Sequence, residues 1–189
     1  MSDFLVLKVS LDHTEPLIWR KIIVPTSFTI NRLHHAIQIA MGWNKSHLFE
    51  FNYEDFSIGI IYTDLEYNPN IDAREITLQE VSLQIGDELK YTYDFGDNWE
   101  HTIEVVDNEY SKPITHFPYC ITGKLNSPPD DVGGIIGFYH FVEVMKNLKH
   151  KEFQETIIWH GGFFDPLKYS TAKINSKFKR FERYMERFE

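Results

Sequence analysis

The sequence predicts an α+β protein with a single domain, residues 1–189, in which about three helices pack on a curved antiparallel sheet of hairpins. A chain of 189 residues fits one domain. Several runs alternate apolar and polar residues and are separated by Gly, Pro, Asp and Asn, which is the pattern of hairpins. Three other segments repeat apolar residues at spacings of three and four, as amphipathic helices do.

The first 25 residues predict a β-hairpin. Residues 5–11 alternate apolar and other side chains, and residues 12–16 supply a turn. A second β-rich run covers 17–24 and ends at Pro25. Arg20 and Lys21 lie inside this run, so we expect them to face solvent or to lie at a sheet edge.

The first helix is predicted at 29–41. Thr29 is a suitable N-cap, and Gly42 is a suitable residue just beyond the C-terminus. His34 and His35 are adjacent and therefore point about 100° apart on a helix. We expect ordinary helix-surface histidines there. The apolar face consists of Ile30, Leu33, Ile37, Ala40 and Met41.

Aromatic residues alternate through the next strands, at 47–53 and 56–62. A polar loop is predicted at 64–75. Glu80 follows Thr77 by three residues, which is typical of a capping box at the start of a short helix. Strands at 89–93 and 99–105 flank a tight turn rich in Gly, Asp and Asn, which predicts a second hairpin.

The last third of the chain predicts two helices, at 136–148 and 171–187. Residues 107–134 lack a clear period and predict a long loop. No regular element is predicted for 152–168. Ser170 is a suitable N-cap for the C-terminal helix, and we expect its apolar face to dock on the core. That face consists of Ile174, Phe178, Phe181, Met185 and Phe188.

Composition excludes several classes of protein. The net charge of −9 opposes nucleic-acid binding through bulk charge, although residues 168–189 hold seven basic and three acidic residues. One cysteine excludes a disulfide framework and a multi-thiolate zinc site. No signal peptide and no run of 18 apolar residues is present, so we expect a cytoplasmic protein with no membrane partner. The expected partner is an unidentified protein or small ligand.

Residues 91–101 contain the densest group of chemically active side chains. Asp94, Asp97 and His101 can coordinate a divalent cation, and Trp99 lies among them. The alternative is purely structural, because Asp and Asn at a turn bond their own backbone.

A second group of such side chains precedes the helix at 136–148. Asp130 and Asp131 stand before a pair of glycines, where they can bind a cation or simply cap the helix. The glycines do not have phosphate-loop spacing. Cys120 can serve as a nucleophile or as a small buried apolar residue.

Six sequence blocks resemble the plasmid pRiA4b ORF-3-like family, which implies an α+β fold. The resemblance covers roughly residues 4–185. Some relatives are encoded with plasmids or insertion sequences. The family usually has Glu where this chain has Asp130. The blocks are 17–21, 41–43, 47–51, Tyr-Asp-Phe-Gly-Asp-Asn-Trp at 93–99, Cys-Ile-Thr-Gly at 120–123, and Pro-Pro-Asp-Asp-Val-Gly-Gly at 128–134.

The sequence favours a binding or accessory module with an aromatic and acidic recognition cleft. We expect the 94–101 turn and the 118–134 loop to meet and form one pocket, lined by Trp99, His101 and Cys120. Arg20 is the side chain expected to neutralise the acids at its mouth; without it, Mg²⁺, Ca²⁺ or Zn²⁺ takes that role. The alternative function is a metal-dependent hydrolase that uses Asp94, Asp97, His101, Asp130 and Asp131.

Overall fold

The computed structural model of the protein describes residues 3–44, 46–63 and 68–188. Its strands are β1 (Phe4–Leu11), β2 (Ile18–Pro25), β3 (Phe49–Tyr53), β4 (Phe56–Gly59), β5 (Ile71–Asp72), β6 (Glu88–Tyr93), β7 (Trp99–Asp107) and β8 (Tyr119–Lys124). Its helices are α1 (Ile30–Met41), α2 (Leu78–Val81), α3 (Gly134–Lys146), α4 (Phe153–His160), α5 (Thr171–Phe178) and α6 (Phe181–Met185). The strands form one sheet in the order β5-β4-β3-β6-β7-β1-β2-β8. The predicted α+β class is confirmed.

Two hairpins form the middle of the sheet. β1 and β2 are antiparallel, with Leu11 opposite Ile18 beside the turn. β6 and β7 are antiparallel, with Tyr93 opposite Trp99. β7 also pairs with β1, so the two hairpins form one continuous surface. The alternation of the sequence predicts both hairpins, and both are confirmed.

One strand pair of the described residues is parallel. Ile71 and Asp72 of β5 pair with Ile58 and Gly59 of β4. The sequence predicts a loop over 64–75, of which 64–67 lie outside the described residues. A strand of two residues is too short to show an alternating pattern, so only its pairing with β4 identifies β5 as a strand.

α1 begins and ends where the sequence predicts. Oγ1 of Thr29 accepts a hydrogen bond from the backbone N–H of Arg32. Gly42 has a φ of 90°, a left-handed conformation that glycine adopts without strain, and its N–H donates to the carbonyl of Gln38. The two helix ends are therefore satisfied by the caps that the sequence encodes.

His34 and His35 are buried, so the prediction of helix-surface histidines is wrong. Nδ1 of His34 lies 2.9 Å from the hydroxyl oxygen of Tyr91, and Nδ1 of His35 lies 2.9 Å from that of Tyr184. The ring of His34 also stacks on Phe49, with centroids 3.7 Å apart. These partners satisfy the polar atoms that burial removes from water.

β8 lies inside the segment that the sequence assigns to a loop. It pairs with β2, with Gly123 opposite Arg20. β2 is therefore an interior strand, and the expectation that Arg20 faces solvent or an edge is wrong. On the free edge of β8, the side-chain amide of Asn175 accepts from Cys120 N at 2.8 Å and donates to Cys120 O at 2.9 Å.

The helical elements differ from the prediction in three places. α3 begins two residues earlier than expected. α4 lies in the segment for which no element is predicted, because Phe153 is its one buried residue and it has no apolar stripe. The predicted C-terminal helix is broken between Phe178 and Phe181. Both of these rings are buried, so the expected docking of this segment is confirmed.

The described residues include no helix that is both long enough and apolar enough to cross a lipid bilayer.

Candidate functional site

The turn between β6 and β7 contacts the segment that leads into α3. The backbone N–H of Gly133 donates to Oδ2 of Asp97 at 3.1 Å. Gly134 has a φ of +65°, and a Cβ added there would lie 2.5 Å from the carbonyl oxygen of Asp97. Only glycine fits such an approach. The two loops that the sequence expects to converge therefore touch through their backbones.

A histidine and two carboxylates meet beside this contact. Nε2 of His47 lies 3.1 Å from Oδ1 of Asp131 and 3.5 Å from Oδ2 of Asp94. This nitrogen is shielded from solvent and makes no hydrogen bond of good geometry with a described residue. We call His47, Asp94 and Asp131 the His47 cluster.

Local backbone structure positions both carboxylates of the cluster. Asp94 and Asp131 have φ values of 57° and 58°, in the left-handed region where Asp is enriched. Oδ1 of Asp94 accepts from the amides of Gly96 at 3.0 Å and Asp97 at 3.3 Å, which fixes this buried side chain. The side chain of Asp131 is 67% exposed. The cluster therefore has one rigid acid and one acid at the surface.

The His47 cluster has the ligand types of a divalent-metal site. Its three ligand atoms lie within 4.8 Å of one another. Ligand atoms bound at about 2.1 Å to one ion lie roughly 3.0–3.4 Å apart, close to the 3.1 Å and 3.5 Å that separate Nε2 of His47 from the two carboxylates. One imidazole and two carboxylates suit Zn²⁺ or Mn²⁺. Three protein ligands leave room for water or substrate at the ion.

Asp97 and Asp130 lie next to the cluster, but each bonds to backbone instead. Asp97 accepts from Gly133, and Oδ2 of Asp130 accepts from the N–H of Asn44 at 2.7 Å. Burial raises the pKa of Asp130; the amide of Asn44 opposes this shift, and the charge of Asp131 adds to it. The four predicted acids therefore occupy one region, and two of them face a histidine.

Trp99 and His101 lie in the core instead of lining a pocket. Nδ1 of His101 lies 3.2 Å from the carbonyl oxygen of Tyr91 and 3.0 Å from that of Trp99, so this nitrogen carries the proton. Burial lowers the pKa of His101 to about 4, although the two backbone hydrogen bonds oppose the shift. His47, and not His101, supplies the imidazole of the described cluster.

Arg20 and Cys120 form a separate buried group. The Arg20 guanidinium donates to the carbonyls of Ala40, Trp19 and Lys124 and to Oγ of Ser127. It makes no ion pair with a described carboxylate, so it does not neutralise the acids as the sequence predicts. Burial raises the pKa of the Cys120 thiol to about 12, although Arg20 lowers it. Such a thiol is a poor nucleophile.

Trp43 connects the loops to the core. Its indole N–H donates to the carbonyl of Pro128 at 2.9 Å. Its ring stacks on Tyr93, with centroids 5.0 Å apart, and on Trp99, at 5.9 Å. Burial raises the pKa of Tyr93 to about 12, and the charges of Asp130 and Asp94 add to this shift. A stack of aromatic rings therefore lies next to the acids.

A cleft of about 310 Å³ opens next to the His47 cluster, between α1 and the start of β3. His47 belongs to both features. Several large apolar side chains around the cleft are exposed, among them Phe95 at 52% and Leu48 at 44%. We call this feature the aromatic cleft. It is lined by Asn31, His34, His35, His47, Leu48, Phe49, Glu50, Ile60, Tyr62, Pro69, Arg74, Phe95 and Phe188.

His47, Phe49 and Phe95 are the residues that sequence reasoning does not select. The alternation at 47–53 places His47 and Phe49 on one face of a strand. The pairing of Phe49 with Tyr93 then brings His47 to the turn that contains Asp94. This strand pairing joins distant segments, so local pattern alone does not reveal it.

The chain is similar to known proteins. A sequence profile of the plasmid pRiA4b ORF-3-like proteins matches residues 3–173 of the chain. The chain belongs to this family. The matched range includes the Gly- and Asp-rich segments 94–98 and 128–134, which contact each other through Asp97, Gly133 and Gly134.

The chain is also similar to one curated protein and to one solved structure. The uncharacterized protein y4hQ of Sinorhizobium fredii (strain NBRC 101917 / NGR234) is 38% identical over 156 residues, which are 82% of this chain and 79% of that protein. A crystal structure of the protein of unknown function MM3350 from Methanosarcina mazei Go1 has a TM-score of 0.79 at 31% identity. The match covers 89% of this chain and 96% of that one. The structural match supports the fold.

Proposed function

We propose that the protein is a binding module, and that the aromatic cleft is its recognition site. The observation that carries this proposal is the cleft of about 310 Å³ with exposed aromatic and aliphatic side chains at its mouth. Concave, mostly apolar sites with a few polar groups are typical of small-ligand binding.

The lining defines the chemistry of the ligand. Stacked rings such as His34 on Phe49 offer a flat aromatic wall. Glu50 and the acids that meet His47 give the cleft a negative side, and the cation of Arg74 is paired with Asp72. We therefore propose a flat ligand or side chain that carries a basic group.

A matched pair of probes tests this proposal. Benzylamine and benzyl alcohol share a ring, but only benzylamine is charged. In ¹⁵N NMR titrations, benzylamine is expected to shift the amides around His47 and Phe95 and to bind severalfold more tightly than benzyl alcohol. Phe95→Ala is expected to weaken both probes, whereas Glu50→Gln weakens benzylamine alone.

The control variants lie away from the cleft. Phe163→Ala removes a ring that is 63% exposed, and Glu155→Gln removes one exposed carboxylate. Neither is expected to change binding. Probe binding that these two variants weaken as strongly as Phe95→Ala and Glu50→Gln do would rule out the cleft as the recognition site.

The second candidate function is a metal-dependent hydrolase, which the His47 cluster favours. A divalent ion held by His47, Asp94 and Asp131 can lower the pKa of a bound water and supply a nucleophile. Calorimetric titration with Zn²⁺ and Mn²⁺ tests the site, and His47→Ala is expected to abolish binding. Unchanged metal affinity in His47→Ala excludes a metal-dependent reaction at this cluster. Metal binding without hydrolysis of nitrophenyl esters and phosphates excludes the hydrolysis of esters and phosphate esters.

A further inference from the structure

We propose that a basic groove beside the C-terminal helices binds a compact anion with closely spaced phosphate groups. The groove has a volume of about 570 Å³ and lies between the end of α1 and helices α5 and α6. The charged side chains of its lining within the described residues are Lys177, Arg180, Arg183 and Arg187, and no described carboxylate lines it. We call this feature the basic groove.

The four cations have no partner within the described chain. None of them makes a salt bridge to a described residue, although the protein carries nine more acidic than basic side chains. On the same segment, Glu182 does pair with Arg32, at 2.6 Å. Four unpaired like charges around one concavity repel one another, and a bound anion relieves that repulsion.

The type of cation selects the anion. Three guanidinium groups present planar pairs of N–H donors that match phosphate oxygens, and a lysine adds a point charge. Two other polar groups of the lining are already used: the indole N–H of Trp43 donates to Pro128, and the hydroxyl of Tyr184 bonds to His35. The side-chain amide of Asn44 is neutral and adds no charge. Recognition therefore rests on charge, and several adjacent phosphates neutralise four cations better than one carboxylate does.

A compact ligand fits better than a long polyanion. The remainder of the surface carries the excess negative charge of the chain, so a duplex extending beyond the groove meets repulsion. The inference does not depend on the proposed function, because the basic groove and the aromatic cleft have different linings. Arg187 lines the basic groove, whereas the next residue, Phe188, lines the aromatic cleft.

Calorimetric titration of the full chain with inorganic tripolyphosphate tests the groove, at about 50 mM salt where charge effects are strong. The double variant Arg180→Gln/Arg183→Gln is expected to bind at least tenfold more weakly. The control Lys112→Gln/Lys149→Gln removes the same charge from exposed sites outside the groove and is expected to bind normally. Arg187→Gln alone provides a second, milder variant, and circular dichroism verifies the fold of each protein.

Four results would overturn the proposal. They are the absence of tripolyphosphate binding, equal weakening in the two double variants, orthophosphate binding as tight as that of tripolyphosphate, and displacement of tripolyphosphate by a single-stranded oligonucleotide at equal phosphate concentration. Equally tight binding of orthophosphate would show that the spacing of phosphate groups does not affect affinity. Displacement by the oligonucleotide would assign the groove to nucleic acid.

Discussion

Arg20 shows how one buried cation connects three parts of the chain. It is 2% exposed, and its guanidinium reaches the end of α1, strand β8 and Ser127. The guanidinium also lies over the ring of Tyr169, with Cζ of Arg20 4.7 Å from the ring centroid. Burial lowers the pKa of Arg20 to about 10, which reports the cost of keeping this charge out of water.

Replacing Arg20 is therefore expected to destabilise the fold. Arg20→Met leaves three carbonyls and a hydroxyl without their donor and should lower the free energy of unfolding by about 2–4 kcal/mol in urea titrations. The neighbouring Lys21→Met is the control, with an expected change of about 0.5 kcal/mol. Equal effects of the two substitutions would show that the hydrogen bonds of Arg20 contribute nothing to the free energy of unfolding.

His101 makes stability depend on pH. Its pKa is about 4 in the folded protein and near 6.5 when unfolded, so between these values the unfolded chain binds the extra proton. Stability contributed by the neutral ring is present above pH 6.5 and is lost as the pH falls towards 4, by about 3 kcal/mol. His101→Gln should flatten the unfolding free energy between pH 6.5 and 4. An unchanged slope in this variant would contradict the assignment.

At the residue scale, the sequence predicts where polar chemistry concentrates but not which side chains meet. Asp94 and Asp131 stand out because each lies two residues before a glycine, and Asp and Gly are typical of tight turns. The burial of Arg20 depends on β8, and the ring of His101 packs against Trp43, with centroids 5.3 Å apart; both contacts join residues distant in sequence. His47 likewise becomes a candidate ligand only through the pairing of β3 with β6.

At the element scale, caps and periods predict α1, α2 and both hairpins, because each is specified by nearby residues. Thr77 and Glu80 form the predicted capping box. β8 escapes prediction because it is held by β2 and by Asn175, both distant in sequence. The C-terminal helix breaks at Lys179 and Arg180, although the apolar spacing continues across them.

The C-terminal helices are expected to contribute strongly to stability. Phe181 is buried and stacks on Phe28, with centroids 5.3 Å apart. Phe181→Ala should lower the free energy of unfolding by about 3–5 kcal/mol. Phe188→Ala, at a ring that is 41% exposed, should cost much less. Urea unfolding compares them, and an unchanged melting temperature after deletion of 170–189 would show that this segment does not stabilise the core.

The contact between the two loops is expected to depend on glycine at position 134, where any side chain would clash. Gly134→Ala places a methyl group 2.5 Å from the carbonyl of Asp97, whereas Gly161→Ala has a similar φ of +76° and open space. Both variants pay the cost of a left-handed alanine, about 1 kcal/mol, so any extra loss in Gly134→Ala reports the clash. Thermal unfolding measures both. Equal losses would mean that the loops separate easily.

At the scale of the whole molecule, the fold class follows from composition and period, but the order of strands does not. Local alternation yields the pairs β1–β2 and β6–β7, whereas β1–β7 and β2–β8 join segments about 100 residues apart in the chain. The turn after β6 contacts the segment before α3, which is distant in sequence, and the β3–β6 pairing adds His47, so that the His47 cluster forms. The site is therefore a product of topology more than of any single motif.

The net charge of the whole molecule predicts weak binding to duplex DNA. The net charge is −9, and the basic residues concentrate at 168–189, where four of them line one groove. So small a positive surface contacts few phosphates, and the surrounding negative charge repels the rest. Fluorescence anisotropy with a labelled duplex at about 150 mM salt should give a Kd weaker than roughly 100 μM. Nanomolar binding that disappears when Lys177, Lys179, Arg180 and Arg183 are neutralised would show that local charge outweighs the field of the whole chain.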